Sequence, residues 1–381
     1  MFNIETLCVH GGEHRFPDGA RSVTVPIYQS AAFSHLQTGH NEHGFDYTRI
    51  SNPTRQHLEE TVSALEGAAK TIAFTSGMAA ISCVFELFAP GDRIVCAEDL
   101  YGGTVLLMDL VGKKNGLDFV YVDTTDPQAL KTAVTKDTKC IYIETPSNPM
   151  MNVTDIRLCA DLAKEVGALL IVDNTFLSPY FQNPIALGAD IALHSGTKFL
   201  GGHNDTISGF LCMKDAELGE KLHKIAYALG ATLSPFDSYL MIRGIKTLAV
   251  RMEHQQRSAL AIARWLQQQP EVTRVYYVGL PDHPGYTLNA RQSRGSGSML
   301  SFAVDSHETA LKILQNVKVA TFAESLGGPE TLITIPSLQT HRDVAESERL
   351  RLGITDSLLR MSVGLENAED LIADLRQAMR G

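Results

Sequence analysis

Lys198 closes an apolar run. Ile191-Ala192-Leu193 leads into His194-Ser195-Gly196-Thr197-Lys198, and Gly201-Gly202 follows shortly after. The hydroxyls of Ser195 and Thr197 suit a phosphate, and the amine of Lys198 can form a Schiff base with an aldehyde. Taken singly, a lysine is more often a solvated surface group. Here the apolar lead-in and the hydroxyl neighbours favour a buried, working amine.

Other stretches repeat the same arrangement of an apolar run ending in polar groups. Ser76-Gly77-Met78 follows Ile72-Ala73-Phe74-Thr75, Glu144 follows Cys140–Ile143, and Asp173 follows Leu169–Val172. In open parallel sheets, ligands bind beyond the carboxyl ends of the strands, so these stretches nominate one cleft. Ser76-Gly77-Met78 opens a helix whose first N–H groups can bind phosphate. Read alone, it is equally an ordinary helix cap. Asp173 can pair with a protonated ring nitrogen, or be a simple turn residue. Tyr101, in Asp99-Leu100-Tyr101-Gly102-Gly103-Thr104, can stack on a ring or pack as a turn tyrosine. A ligand that carries a phosphate, an aldehyde and an electron-accepting ring together is pyridoxal 5'-phosphate (PLP).

The elements that must hold these groups read as α/β. Short apolar runs at Thr71–Thr75, Arg93–Cys96, Phe119–Val122, Cys140–Ile143, Leu169–Val172, Ile191–Leu193 and Gly209–Cys212 alternate with helical patterns. Such runs imply a mostly parallel sheet covered on both faces. The expected organisation is an arm over 1–50, a large domain over 51–240 and a smaller C-terminal α/β domain over 241–381. The arm lacks periodicity, is punctuated by Pro17, Gly19, Pro26 and Gly39, and should lie on a neighbouring subunit because it cannot bury itself. A helix should begin at Asn52-Pro53 and close at Gly67. One long helical stretch, Phe236 to Gln269, should join the domains. The last helix should be capped by Asn367.

Bulk properties narrow the function classes. The 381 residues carry a net charge of −10 without a basic cluster, which disfavours nucleic acid and anionic membranes. No apolar run reaches membrane-spanning length, and the N-terminal residues lack a secretion signal. Six scattered cysteines without a CxxC fit reduced thiols and a cytoplasmic location. His10, His14 and the histidines up to His43 find no cysteine or carboxylate pattern to complete a metal site.

Ten motifs in order carry a resemblance over nearly the whole chain. They are PIYQSAAF (26–33), YTRISNPT (47–54), TSGMAA (75–80), YGGT (101–104), ETPSNP (144–149), VDNTF (172–176), HSGTK (194–198), LSPFDSYLMIRGIKTL (233–248), SLGGPETL (325–332) and LLRMSVGLE (358–366). Together they make the chain resemble the Cys/Met-metabolism family of PLP enzymes, the cystathionine γ-synthase, cystathionine γ-lyase and methionine γ-lyase group. The resemblance implies an aspartate-aminotransferase-like fold (fold type I). It also implies Lys198 as the Schiff-base lysine, and Ser76, Gly77, Met78, Ser195 and Thr197 around the phosphate. Tyr47 and Arg49 would reach that phosphate from a neighbouring subunit, so the protein would be a dimer at least, and tetramers are the usual family form. Tyr101 would stack on the ring, Asp173 would meet its nitrogen and Asn148 its hydroxyl. Arg360 would grip the substrate carboxylate with Ser325 and Asn148 nearby; by residue type alone it is equally a surface ion pair. Lys198, once free, would take protons from the substrate, and Tyr101 would protonate the departing sulfur.

The family resemblance leaves the substrate open. Relatives that handle cystathionine usually carry arginine where this chain has Leu106, and cystathionine γ-lyases glutamate where it has Thr334. Methionine γ-lyases generally read YGCT where Gly103 stands here, and Tyr227 replaces a small polar residue. The balance predicts a carbon–sulfur lyase of the methionine γ-lyase type, releasing a thiol, 2-oxobutanoate and ammonia. The alternatives are cystathionine γ-lyase, cystathionine β-lyase and cystathionine γ-synthase activity, and remotely a silent PLP-binding regulator.

Overall fold

A computed structural model describes residues 2–12, 22–38, 44–342 and 344–380. His14, Pro17, Gly19, Gly39 and His43 lie outside the described residues. The chain begins with a helix, α1 (Ile4–His10), followed by α2 (Pro53–Glu66). The α2 ends follow local chemistry. The Asn52 side chain accepts N–H bonds from Thr54 at 3.0 Å and Arg55 at 3.4 Å, Pro53 takes the first turn, and Gly67 closes the helix at φ +71.

Seven strands then build the large sheet: β1 (Lys70–Phe74), β2 (Arg93–Ala97), β3 (Asp118–Val122), β4 (Thr138–Glu144), β5 (Leu169–Asp173), β6 (Ile191–Ser195) and β7 (Gly209–Met213). Their order is β1-β7-β6-β5-β4-β2-β3. The run from β6 to β3 is parallel, while β7 lies antiparallel to both β1 and β6. Apolar residues of β4, β5 and β6 are buried in clusters on both faces, as continuous apolar strands require. Helices α3 (Gly77–Phe85) and α4 (Gly102–Leu107) follow β1 and β2. A smaller five-stranded sheet comprises β8 (Val272–Tyr276), β9 (Met299–Val304), β10 (Thr321–Phe322), β11 (Leu332–Thr334) and β12 (Leu358–Ser362), ordered β10-β11-β12-β9-β8. Its core is shared with helices Leu248–Leu266, His307–Asn316 and Ala368–Arg380. Asn367 caps the last of these, accepting the Glu369 N–H at 2.8 Å.

Two expectations need correction. The arm, expected to lack periodic structure and to be unable to bury itself, forms α1, which buries Cys8 (2 % exposed) in the same core as Leu58 and Met252 of this chain. Its apolar spacing is too short to register as periodic, and tertiary burial supplies what the length does not. The expected long helix is two, Pro235–Ile245 and Leu248–Leu266. At the break, Gly244 O accepts from Thr247 Oγ1 at 3.0 Å and Arg251 Nη2 at 2.9 Å. The same glycine lets the Gly201 carbonyl approach to within 2.1 Å of where a Cβ would stand. Among the described residues, no helix is long and apolar enough to cross a membrane, and no group of three potential metal ligands occurs.

Candidate active site

The strand ends meet at one cavity of about 280 Å³. Its walls include Ser76, Gly77, Met78, Tyr101, Glu144, Asn148, Asp173, Ser195, Thr197, Lys198, Ser325 and Arg360. β4, β5 and β6 are parallel neighbours, so Glu144, Asp173 and Ser195 all emerge on the same edge. The first turn of α3 faces Ser195: a Cβ on Gly77 would stand 3.0 Å from the Ser195 Cβ. Ser76 caps that turn by accepting the Ala79 N–H at 3.0 Å, and its carbonyl accepts from Ala80. The earlier N–H groups of the turn are the ones a phosphate would use. Thr197 Oγ1 is fixed by Ser208, donating to its carbonyl at 3.2 Å and accepting its N–H at 3.0 Å.

Lys198 Nζ donates to Ser325 Oγ at 2.9 Å. Burial, and then the Arg360 cation, push its amine down to about 8, while Glu324 pulls it back up. Ser325 sits at φ +86, an uncommon conformation for a residue with a side chain. Its carbonyl accepts Arg360 Nη2 at 3.1 Å, and Arg360 Nη1 donates to Asn148 Oδ1 at 3.0 Å. The guanidinium is 3 % exposed, yet Nε has no partner and no carboxylate is ion-paired with it among the described residues. A buried guanidinium with a free N–H is chemically suited to an anion that enters the cavity. Asp173 Oδ1 accepts from Thr175 Oγ1 at 2.6 Å and Thr175 N at 3.0 Å. Burial raises the Asp173 carboxyl, whereas the Thr175 donors and the His194 charge lower it. His194 is itself buried against Glu66 at 2.6 Å. Tyr101 has its phenol raised by burial and then by Glu324, which keeps it protonated.

A lysine amine, a carboxylate with fixed donors and a helix N-terminus cradled by Gly77 together fit PLP. The structure collects most of the expected site residues but not all. Tyr47 and Arg49 line a separate surface hollow with Ser30 and Thr232. There Arg49 Nη1 donates to the Tyr227 carbonyl at 2.9 Å, and its guanidinium lies 4.4 Å from the Tyr227 ring centroid. Leu106, Thr334 and Tyr227, read from sequence as substrate determinants, are not part of the cavity wall. Thr334 is buried beside Arg360 on the adjacent strand.

Sequence reasoning missed Glu324, Thr175, Thr340 and Ile207, all of which line the cavity. Thr175 had a signal, since a hydroxyl two residues after an aspartate commonly bonds it. Glu324 directly precedes SLGGPETL, so its place beside Ser325 was within reach. The other two come from loops with no motif.

Comparison with known proteins agrees with this chemistry. The chain belongs to the family described as Cys/Met metabolism PLP-dependent enzyme, whose model matches residues 5–380. It is 46% identical over 375 residues to the cystathionine gamma-lyase of Bacillus subtilis (strain 168), covering 98% of each chain. It is 44% identical over 380 residues to the cystathionine beta-lyase MetC of the same organism, covering 100% of this chain and 97% of the relative. The crystal structure of cystathionine gamma-lyase from Lactobacillus plantarum complexed with L-serine superimposes with a TM-score of 0.97 at 42% identity, covering 100% and 99% of the two chains. The chain is therefore a PLP-dependent enzyme of carbon–sulfur chemistry with a fold type I architecture.

Proposed function

We propose that this enzyme cleaves cystathionine, a thioether with an amino acid at each end, by elimination at the γ-carbon. The observation that carries the choice is Glu324 on the cavity wall beside Ser325 and near Lys198 and Arg360. A carboxylate there suits the distal ammonium of cystathionine, for which methionine has no counterpart. The sequence features that favoured methionine, Leu106 and Thr334, do not line the cavity of this chain, although Thr334 pairs with Arg360 on the adjacent strand, so Glu324 is given the greater weight. Gly103 points the same way, because a Cβ there would come within 2.6 Å of the Tyr101 ring. The similarity to a cystathionine gamma-lyase supports the γ-carbon as the site of cleavage.

Ser76, Gly77, Met78, Ser195 and Thr197 would hold the phosphate, Asp173 the ring nitrogen, Asn148 the ring hydroxyl, and Lys198 the aldehyde. Bound PLP supplies an electrophile for the substrate amine and a ring that takes up the electron pair left at the α-carbon. Arg360 would hold the α-carboxylate as a two-pronged donor, with Asn148 and Ser325 keeping the fork in place. Lys198, with its amine pushed down to about 8, could accept the α-carbon proton near neutral pH and, once that proton has been handed on and the amine is neutral again, accept the one from the β-carbon. The Tyr101 phenol would give its proton to the sulfur as the bond breaks.

The test is a substrate profile. Cystathionine, methionine, homocysteine and cysteine are supplied separately, and the oxo acid and thiol are identified. Cysteine with 2-oxobutanoate from cystathionine is expected. Homocysteine with pyruvate would move the reaction to the β-carbon. Glu324→Gln should raise KM for cystathionine about 10-fold more than it raises that for methionine, the scale of one lost charge-assisted contact. Faster turnover of methionine than cystathionine would reverse the choice. That second reading is favoured by the apolar side chains of Met78, Ile207 and Leu326 on the same wall.

A further inference from the structure

Glu144 has no part in the chemistry above, although it lines the cavity. It ends β4 directly opposite Asp173, the last residue of β5, in a parallel register. Side chains of registered parallel neighbours share a face, about 5 Å apart. Two carboxylates therefore stand side by side, 6 % and 8 % exposed. Both cannot be ionised cheaply in such a place. Their partners separate them. Asp173 has two Thr175 donors on one oxygen, and His194 as well as those donors lowers its carboxyl. Glu144 has the Tyr101 N–H on Oε2 at 3.0 Å and a backbone donor from Asn148. The ionisable groups around Glu144 are Asp173, Asp99, Tyr101, Tyr142 and Arg360. The two aspartates disfavour a further negative charge, and Arg360 already holds Asn148 and Ser325.

We propose that Glu144 is a positioning residue that works as a neutral carboxylic acid, fixing the Tyr101 backbone at the cavity while leaving Asp173 the single anion on that face. Burial, and then Asp173, push the Glu144 carboxyl well above its ordinary range, in agreement with the geometry. A second observation shows why the anchor matters. Tyr101 opens α4, only six residues long, and is the N-cap without a side-chain cap bond of its own. Upstream, Asp99 accepts Asn152 Nδ2 at 2.7 Å. The short Asp99–Tyr101 segment is thus pinned at both ends, and Glu144 holds the end that carries the ring. The inference rests on the reading that Tyr101 stacks on the cofactor and Asp173 meets its nitrogen.

The test uses the holoenzyme with Glu144→Gln and Glu144→Ala. Glutamine keeps the oxygen that accepts the Tyr101 N–H and is neutral, so it should recover at least about 10-fold of the kcat/KM lost in the alanine variant, the scale of a displaced site group. The infrared spectrum of the wild type should contain the carbonyl stretch of a protonated carboxylic acid, absent from Glu144→Gln. The visible absorbance of the bound cofactor should titrate with pH alike in wild type and Glu144→Gln. A glutamine variant no better than alanine, or no difference in the carbonyl region, overturns the proposal. The infrared readout does not depend on which thioether is cleaved, so it stands apart from failure of the substrate reading.

Discussion

At the scale of single residues, the site is a set of charges that burial has made responsive to one another. Lys198, Arg360, Glu324 and Tyr101 each act on a neighbour, so changing one retunes the rest. The lysine gives the clearest measurement. In protein stripped of its cofactor, the Lys198 amine should be acylated with a midpoint near pH 8, where an ordinary lysine responds about two units higher. The sign follows from its depressed value: the neutral, reactive form accumulates as pH rises through about 8. Glu324 pulls that value up, so Glu324→Gln should move the midpoint lower. A rise, or no movement, would mean that Glu324 does not act on this amine.

At the scale of elements, strand ends were read well and loop conformations were not. All seven strands of the large sheet lie within about two residues of the apolar runs that announced them; for the buried parallel strands β2, β4, β5 and β6 the reason is that both faces must be apolar. The start of α2 was equally legible from Asn52 and Pro53. Asn52 does more than cap. Its Nδ2 donates to the Tyr28 carbonyl at 2.9 Å and to Thr48 Oγ1 at 3.1 Å, which ties the Tyr47–Arg49 segment to the helix. Asn52→Ala should destabilise the protein by about 1–2 kcal/mol in urea titration. It should also weaken cofactor retention if that segment serves a phosphate. The helix α1 and the break before Leu248 were not legible. Each is decided by contacts with residues distant in sequence, Leu58 and Gly201 among them.

At the scale of the whole molecule, one chain does not bring all the expected phosphate ligands together. Tyr47 and Arg49 lie outside the cavity, beside Tyr227. If they serve a neighbouring subunit, then Arg49→Ala and Lys198→Ala are complementary defects. Unfolding and refolding the two inactive variants together should restore activity to roughly a quarter of the sites, since random pairing in a two-fold dimer leaves one intact site in each mixed pair. Mixtures no more active than the separate variants would place both residues in service of their own chain, or of none.

By itself the sequence determined the cofactor and the fold class, and it nominated Lys198 for the cavity that the strand ends form. These depend on residue types at the ends of apolar runs, which local order preserves. Only the tertiary structure decided which loop residues share the cavity. Leu106 and Thr334 do not line the cavity of this chain, whereas Glu324 does. Whether a loop side chain turns towards a ligand is set by the strands and glycines packed beneath it, such as Gly103 under Tyr101, and no spacing along the chain records that. The pairing of Glu144 with Asp173 is of the same kind, because neighbouring strands in a parallel sheet are joined by long crossovers that hide the register.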